Sequence, residues 1–302
     1  MDTANARTRP RLGFIGMGGM GSRMAARLLA AGYDVTIYNR ARERTQQLAE
    51  RGATVAATPA ELAADVDVVL SSLADDAAVD SVMTGLRGAL AAARPGTIFI
   101  EMSTVSPATS RRLYEAGHRR ELLVLDAPVS GTTAVAEQGQ LIIFVGGEHA
   151  VYDRCKTILS VLGETSFYMG TTGSGAMMKL CANTMLALGM QALAEAVTLG
   201  LKAGLPRERL LNALGNTAVV SPSQKSKFEN VSKGVYPPAF PLRLMYKDLK
   251  LILQTAGDLL TAMPMTTVAE QVYVMEAARQ VVAGRDEDFS SVVRATQQMT
   301  SV

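Results

Sequence analysis

The chain has 302 residues, 48% of them hydrophobic and 19% charged, with 30 lysines and arginines against 28 aspartates and glutamates. That apolar content supplies cores for about two domains and excludes disorder as the dominant state, while a net charge of +2 excludes a polybasic surface for nucleic acid or membrane. Only two histidines, His118 and His149, are present, both in polar stretches, so no metal site is expected and proton chemistry falls to Lys, Tyr, Asp or Glu.

Residues 1–10 are polar, carry two arginines and lack the apolar run of a signal peptide, which predicts a disordered tail. Cys155 and Cys181 are too few for a disulfide framework and predict a reducing, cytoplasmic setting. From residue 11 to 172, short β-branched runs at 12–15, 35–38, 68–70, 98–100, 122–125, 142–145 and 165–168 alternate with helical patterns such as 19–31, 42–51, 107–116 and 150–162. This alternation predicts an α/β domain built on a doubly wound, mostly parallel sheet covered on both faces. After Gly175 the strand pattern stops, and residues 173–302 predict an all-helical domain. Its first helix spans 176–203, ended by Gly204 with Pro206 beyond, and further helices follow at 207–215, 221–231, 246–260 and 268–283. The proline-rich segment 236–241 is a loop. Residues 180–194 are uncharged but hold Asn183, Thr184 and Gln191, and fall short of the ~20 apolar residues of a spanning helix. They predict a deeply buried helix.

The run Leu12-Gly13-Phe14-Ile15-Gly16-Met17-Gly18-Gly19-Met20-Gly21 joins an apolar strand to an amphipathic helix. In that context Gly16, Gly18 and Gly21 form the G-x-G-x-x-G turn of a Rossmann-type dinucleotide site, with Met17, Gly19 and Met20 completing the loop. Gly16 makes the tight turn, Gly18 lets backbone approach a pyrophosphate, and Gly21 lets helix and strand pack closely. About 20 residues on, the ribose-reading position holds Asn39-Arg40 where an NAD protein has a carboxylate. Asn39 removes repulsion of a 2′-phosphate and Arg40 offers it donors, which predicts NADP rather than NAD. The alternative is a solvated arginine at a helix start.

Between Glu164 and Glu195 the only charged residue is Lys179, and Asn183 lies one helical turn later on the same face. A lysine in apolar surroundings suits proton exchange near neutral pH, although spacing alone also allows it to snorkel to solvent.

Four motifs in order, spanning about residues 13–251, resemble the β-hydroxyacid dehydrogenase family, the relatives of 3-hydroxyisobutyrate dehydrogenase and of glyoxylate/succinic semialdehyde reductase. They are the glycine loop, Asp126-Ala127-Pro128-Val129-Ser130-Gly131, the run from Gly173-Ser174-Gly175 through Lys179 to Asn183, and Lys247-Asp248-Leu249-Lys250-Leu251. The resemblance implies that Lys179 is the catalytic residue and that Ser130, Gly131, Thr132, Asn183 and Lys247 meet the substrate. It also implies cofactor contacts at Leu73, Ala74, Thr104, Lys247 and Asp248. Read structurally, residues 128–131 are a turn, Asn183 a helix-interior amide, Thr104 a helix cap before Pro107, and Lys247 an exposed lysine at a helix start. Thr132-Thr133 departs from the family's second glycine, Ala74 from its proline and Glu101 from its aspartate, and the first of these reshapes the expected pocket.

The resemblance implies an NADP-dependent oxidoreductase interconverting a small aldehyde or keto acid and its hydroxy acid, with hydride from the nicotinamide and the proton from Lys179. A carboxylate-bearing substrate and a homodimer or homotetramer are implied with it. Two alternatives stand beside this reading: reduction of a C=N bond, as in imine reductases, and a non-enzymatic NADP-binding sensor. The 6-phosphogluconate dehydrogenases share the lysine but also use a histidine and a glutamate where this chain has Ala182 and Leu186.

Overall fold

The computed structural model describes residues 9–300. Most of the predicted N-terminal tail, residues 1–8, lies outside the described residues. The chain divides into two compact units, one ending at Lys179 and the other beginning at Leu180.

The first unit holds nine strands among the described residues: β1 (Leu12–Ile15), β2 (Val35–Tyr38), β3 (Thr54–Val55), β4 (Val68–Ser71), β5 (Ile98–Glu101), β6 (Leu123–Asp126), β7 (Val129–Ser130), β8 (Leu141–Gly146) and β9 (Gly163–Gly170). They form one sheet in the order β3-β2-β1-β4-β5-β6-β8-β7, with β9 also paired to β8. The pairings from β3 through β6 are parallel. The strands β1, β4 and β5 are buried at every residue, as near-continuous apolar runs require when helices cover both faces. The sheet is mostly parallel, as predicted, with β8 running antiparallel to both β6 and β7. Past Pro128 the chain continues in the direction of β6 into the two-residue β7, too short to leave a periodic trace in sequence, and it turns back only after Ser130, through Gly131 and the helix Thr133–Gln138.

The strand order reverses between β1 and β4, since β2 and β3 extend the sheet on one side and β5 and β6 on the other. Crevices at such reversals, outside the carboxyl ends of the strands, are where open α/β sheets bind ligands.

The helix Ser174–Lys202 runs from the first unit into the second. By length and composition it could cross a membrane, with mean hydropathy 1.4, yet only a stripe of it is buried. Within the second unit Leu180, Ala187, Met190, Leu193, Ala194 and Val197 pack into the helical core with Met245, Leu249, Tyr273 and Val293. Met185 and Leu199 point outward, so the helix is less buried than its composition predicts. The predicted 221–231 helix is two pieces, Pro222–Lys225 and Phe228–Lys233. The joint holds Lys227, whose Nζ reaches the buried Asp288 carboxylate at 2.9 Å. That carboxylate also accepts from Phe240 N at 2.9 Å, and Leu242 N donates to Glu287 O. These bonds fix the proline-rich loop ahead of the helix Leu242–Asp258, which starts a turn earlier than predicted.

Candidate active site

Every cofactor residue predicted in the first unit follows the carboxyl end of a parallel strand. The glycine turn follows β1, Asn39-Arg40 follows β2, Leu73-Ala74 follows β4 and Thr104 follows β5. Gly16 has φ +100°, a conformation L side chains rarely adopt. A Cβ on Gly21 would collide with the Gly16 carbonyl, whereas a Cβ on Gly18 would meet nothing within 4 Å. Gly18 is the N-cap of the helix Gly19–Ala30 and supplies no side-chain cap. The turn is therefore closed toward the protein at Gly21 and open at Gly18, with first-turn N–H groups aimed outward. That is the cradle a dinucleotide pyrophosphate fits.

Asn39 plays a different local part from the one its position suggested. Its Oδ1 accepts from Met17 N at 2.9 Å and its Nδ2 donates to Ala41 O at 2.8 Å. The amide braces the glycine turn against the end of β2, while Arg40 beside it is exposed. Leu73 N donates to Ser103 Oγ at 2.7 Å, so the Leu73 amide is used within the protein. Ala74 is exposed and Thr104 half-buried. Thr104 is not the helix cap: Ser106 Oγ accepts from Thr109 N and caps Pro107–His118.

The segment after β6 is more structured than a turn. Ser130 pairs with Ile142 across β7 and β8, and Gly131 follows with φ +147°. A Cβ on Gly131 would press on Leu141 and Val135. The hydroxyl of Thr132, the departure from the family pattern, caps the helix Thr133–Gln138 by accepting from Val135 N. It is committed locally, and Thr132 is exposed.

The sequence named Asp126 only as part of a motif, yet it organises the start of the Lys179 helix. Its Oδ1 accepts from Gly173 N at 2.7 Å and its Oδ2 from Ala176 N at 2.8 Å. A carboxylate at a helix N-terminus satisfies orphan N–H groups and complements the dipole. Burial pushes the Asp126 carboxyl above its ordinary range, and the bonds from Gly173 and Ala176 pull it back. Gly175 is obligatory at this joint, since a Cβ there would run into the backbone of Phe144, Asp126 and Gly146. Lys179, half-buried, lies one turn beyond. Thus β6 carries the Ser130 segment on one side and, through Asp126, fixes the helix bearing Lys179.

In the second unit Asn183 is buried and donates through Nδ2 to Asp248 Oδ2 at 2.6 Å. The other oxygen of Asp248 lies 2.8 Å from Lys247 Nζ. Lys247 stands in the second turn of its helix with a quarter of its side chain exposed, not at an open helix start. Asp248 orients both groups. Asp248→Ala is expected to cost about 1–3 kcal/mol by removing the partner of a buried amide, measured by urea unfolding. Asp248→Asn should recover part of it.

Residues 11–170 match the family described as the NAD binding domain of 6-phosphogluconate dehydrogenase. Residues 173–296 match that described as NAD-binding of NADP-dependent 3-hydroxyisobutyrate dehydrogenase. The chain is 34% identical to 2-(hydroxymethyl)glutarate dehydrogenase of Eubacterium barkeri, covering 97% of this chain and 96% of that one. It is 37% identical to glyoxylate/succinic semialdehyde reductase 1 of Arabidopsis thaliana, covering 94% and 97%. Among solved structures, Mycobacterium tuberculosis 3-hydroxyisobutyrate dehydrogenase with L-serine superposes with a TM-score of 0.83 at 31% identity, over 94% of this chain and 98% of that one. A dinucleotide cradle at the sheet's reversal, a lysine helix anchored to the end of β6, a helical second unit and these full-length likenesses place the chain in the β-hydroxyacid dehydrogenase family, oxidoreductases acting on CH–OH groups.

Proposed function

We propose that the protein interconverts a small carboxylate-bearing aldehyde or keto acid and its hydroxy acid, with NADP(H) as cofactor and Lys179 as proton donor and acceptor. One observation carries the reading. The carboxyl edge of a single sheet presents the glycine cradle, Arg40 and the Ser130 segment, and Asp126 ties the helix of Lys179 to the same edge. A bound nicotinamide supplies the hydride. Gly16–Gly21 hold the pyrophosphate through backbone N–H groups, with Leu73 and Ala74 beside the cofactor ribose and Thr104 beside the nicotinamide. Lys179 gives a proton to the carbonyl oxygen during reduction and takes it back during oxidation. Ser130 and the amides around Gly131 donate to the carboxylate, Asn183 orients the substrate, and Lys247, set by Asp248, adds a second cationic contact.

Support for NADP over NAD comes from Asn39 in place of a repelling carboxylate, from the exposed Arg40 beside it, and from the NADP-dependent description of the matching C-terminal family. Arg40→Ala is expected to weaken NADPH by about 10–100-fold, the worth of charge-assisted bonds, and to leave NADH unchanged. Titration calorimetry with both cofactors measures this. The reaction itself is tested by nicotinamide oxidation with glyoxylate, succinic semialdehyde and tartronate semialdehyde, NADPH and NADH in parallel. Turnover with at least one and preference for NADPH are expected. Tight NADPH binding with turnover of none of the three would favour another substrate class or a nucleotide sensor. We place it in the cytoplasm as a homo-oligomer, the latter because Met265, Val268, Val281 and Val282 expose apolar surface on the helix Pro264–Val282.

A further inference from the structure

A chain of buried polar groups joins the two turns that follow β4 and β5, and the catalytic assignment leaves it unexplained. Glu101 ends β5 and stands in register with Ser71, the last residue of β4. Both are buried to within 1% of full coverage. Glu101 Oε2 accepts from Ser71 Oγ at 2.6 Å, and Oε1 accepts from Ser103 N at 2.8 Å. Ser103 Oγ, itself buried, then accepts from Leu73 N at 2.7 Å. The hydrogen bonds thus run from the end of β4, through Glu101, to the turn after β5 and back to the turn after β4. A second acid repeats the link further out, where Asp76 accepts from Ser106 N at 3.0 Å, Ser106 Oγ at 2.6 Å and Thr109 Oγ1 at 2.9 Å.

Burying a carboxyl is costly, and burial pushes Glu101 above its ordinary range against the pull of its serine partners. An apolar side chain would fill the space with no such cost. What it could not do is accept from two donors on different turns at once. Leu73 belongs to this link, and the next residues along the two turns are Ala74, exposed, and Thr104, half-buried.

We infer that Glu101 is a positioning residue for the nicotinamide half of the cofactor: through Ser71, Ser103 and Leu73 N it locks the two turns that flank that half into one rigid wall. The inference rests on the cofactor reading above. A fully satisfied buried network rigidifies the backbone it joins, and a partly satisfied one loosens it. The hydrogen bonds of Glu101 run to Ser71 and Ser103 and not to the cradle, and the turn they hold meets the cradle only at Gly16, so the larger effect falls on the nicotinamide end of the dinucleotide.

The test compares two ligands by titration calorimetry, NADPH and 2′-phospho-ADP-ribose, which lacks the nicotinamide. Glu101→Ala is expected to weaken NADPH by about 10-fold or more and to leave 2′-phospho-ADP-ribose within about twofold. Glu101→Gln can still accept from Ser103 N and donate to Ser71 Oγ, so it should restore NADPH binding to within about threefold. Ser103→Ala, which cuts the link to Leu73 with a smaller change in the core, should show the same one-sided loss. It decides the matter if Glu101→Ala does not fold. Equal weakening of both ligands, or of neither, would overturn the inference. Wild-type protein that binds neither ligand would overturn the cofactor reading itself, and this inference with it.

Discussion

Lys179→Ala is expected to lower kcat by about 10²–10⁴-fold, the usual contribution of a positioned proton donor, with NADPH affinity changed less than about twofold. The second half follows from the geometry, because the cradle after β1 is built from backbone and owes nothing to the lysine. Lys179→Arg separates the two things a lysine can supply. Arginine keeps the positive charge but does not release a proton in a protein, so an arginine variant as slow as alanine assigns the residue to proton transfer. An arginine variant near wild type would assign it to charge stabilisation instead. Added primary amine should restore part of the alanine variant's rate in proportion to its concentration. Unchanged turnover in Lys179→Ala would remove the residue from the reaction.

The parallel half of the sheet was readable because its strands are buried on both faces and show as short apolar runs, as at 12–15 and 68–71. The strand Val129–Ser130 was not, because two residues carry no period. Helical periodicity overran the break at Lys227, whose partner Asp288 lies 61 residues away and leaves no local mark. The candidate site divides in the same way. Its glycine turn and Arg40 are local features, legible from a strand, a turn and a helix in succession. Asn39 was read for its lack of charge, whereas its bonds to Met17 and Ala41 depend on how β1 and β2 lie side by side. The roles of Asp126, Asp248 and Glu101 are long-range. Each is a buried acid with at least one donor from a distant segment: Gly173 and Ala176 for Asp126, Asn183 for Asp248 and Ser71 for Glu101. For Asp126 and Glu101 the signal available in sequence was a carboxylate at the end of an apolar strand, a place where burial demands a partner.

Asp126→Ala is expected to be the most damaging of the substitutions outside Lys179. The carboxylate accepts two backbone N–H groups, and bonds to a charged group are worth about 1.5–3 kcal/mol each, offset in part by relief of its own burial. A net loss of about 2–4 kcal/mol follows, seen as a lower urea midpoint for the unit ending at Lys179. The same change frees the start of the lysine helix. Gly173 and Ala176 lose their acceptor while Gly175 stays wedged against Phe144 and Gly146, so the first turn before Lys179 loosens at its outer edge. Misplacing a catalytic group by about 1 Å can cost 10²-fold, so kcat should fall more than 10-fold even well below the unfolding midpoint, with KM for NADPH little changed. Asp126→Asn retains one acceptor but turns an NH₂ toward the other N–H, and should recover less than half of the stability. A variant that loses stability but keeps kcat would confine Asp126 to the fold. Parallel loss in both measurements would make it the link between the sheet edge and the proton donor.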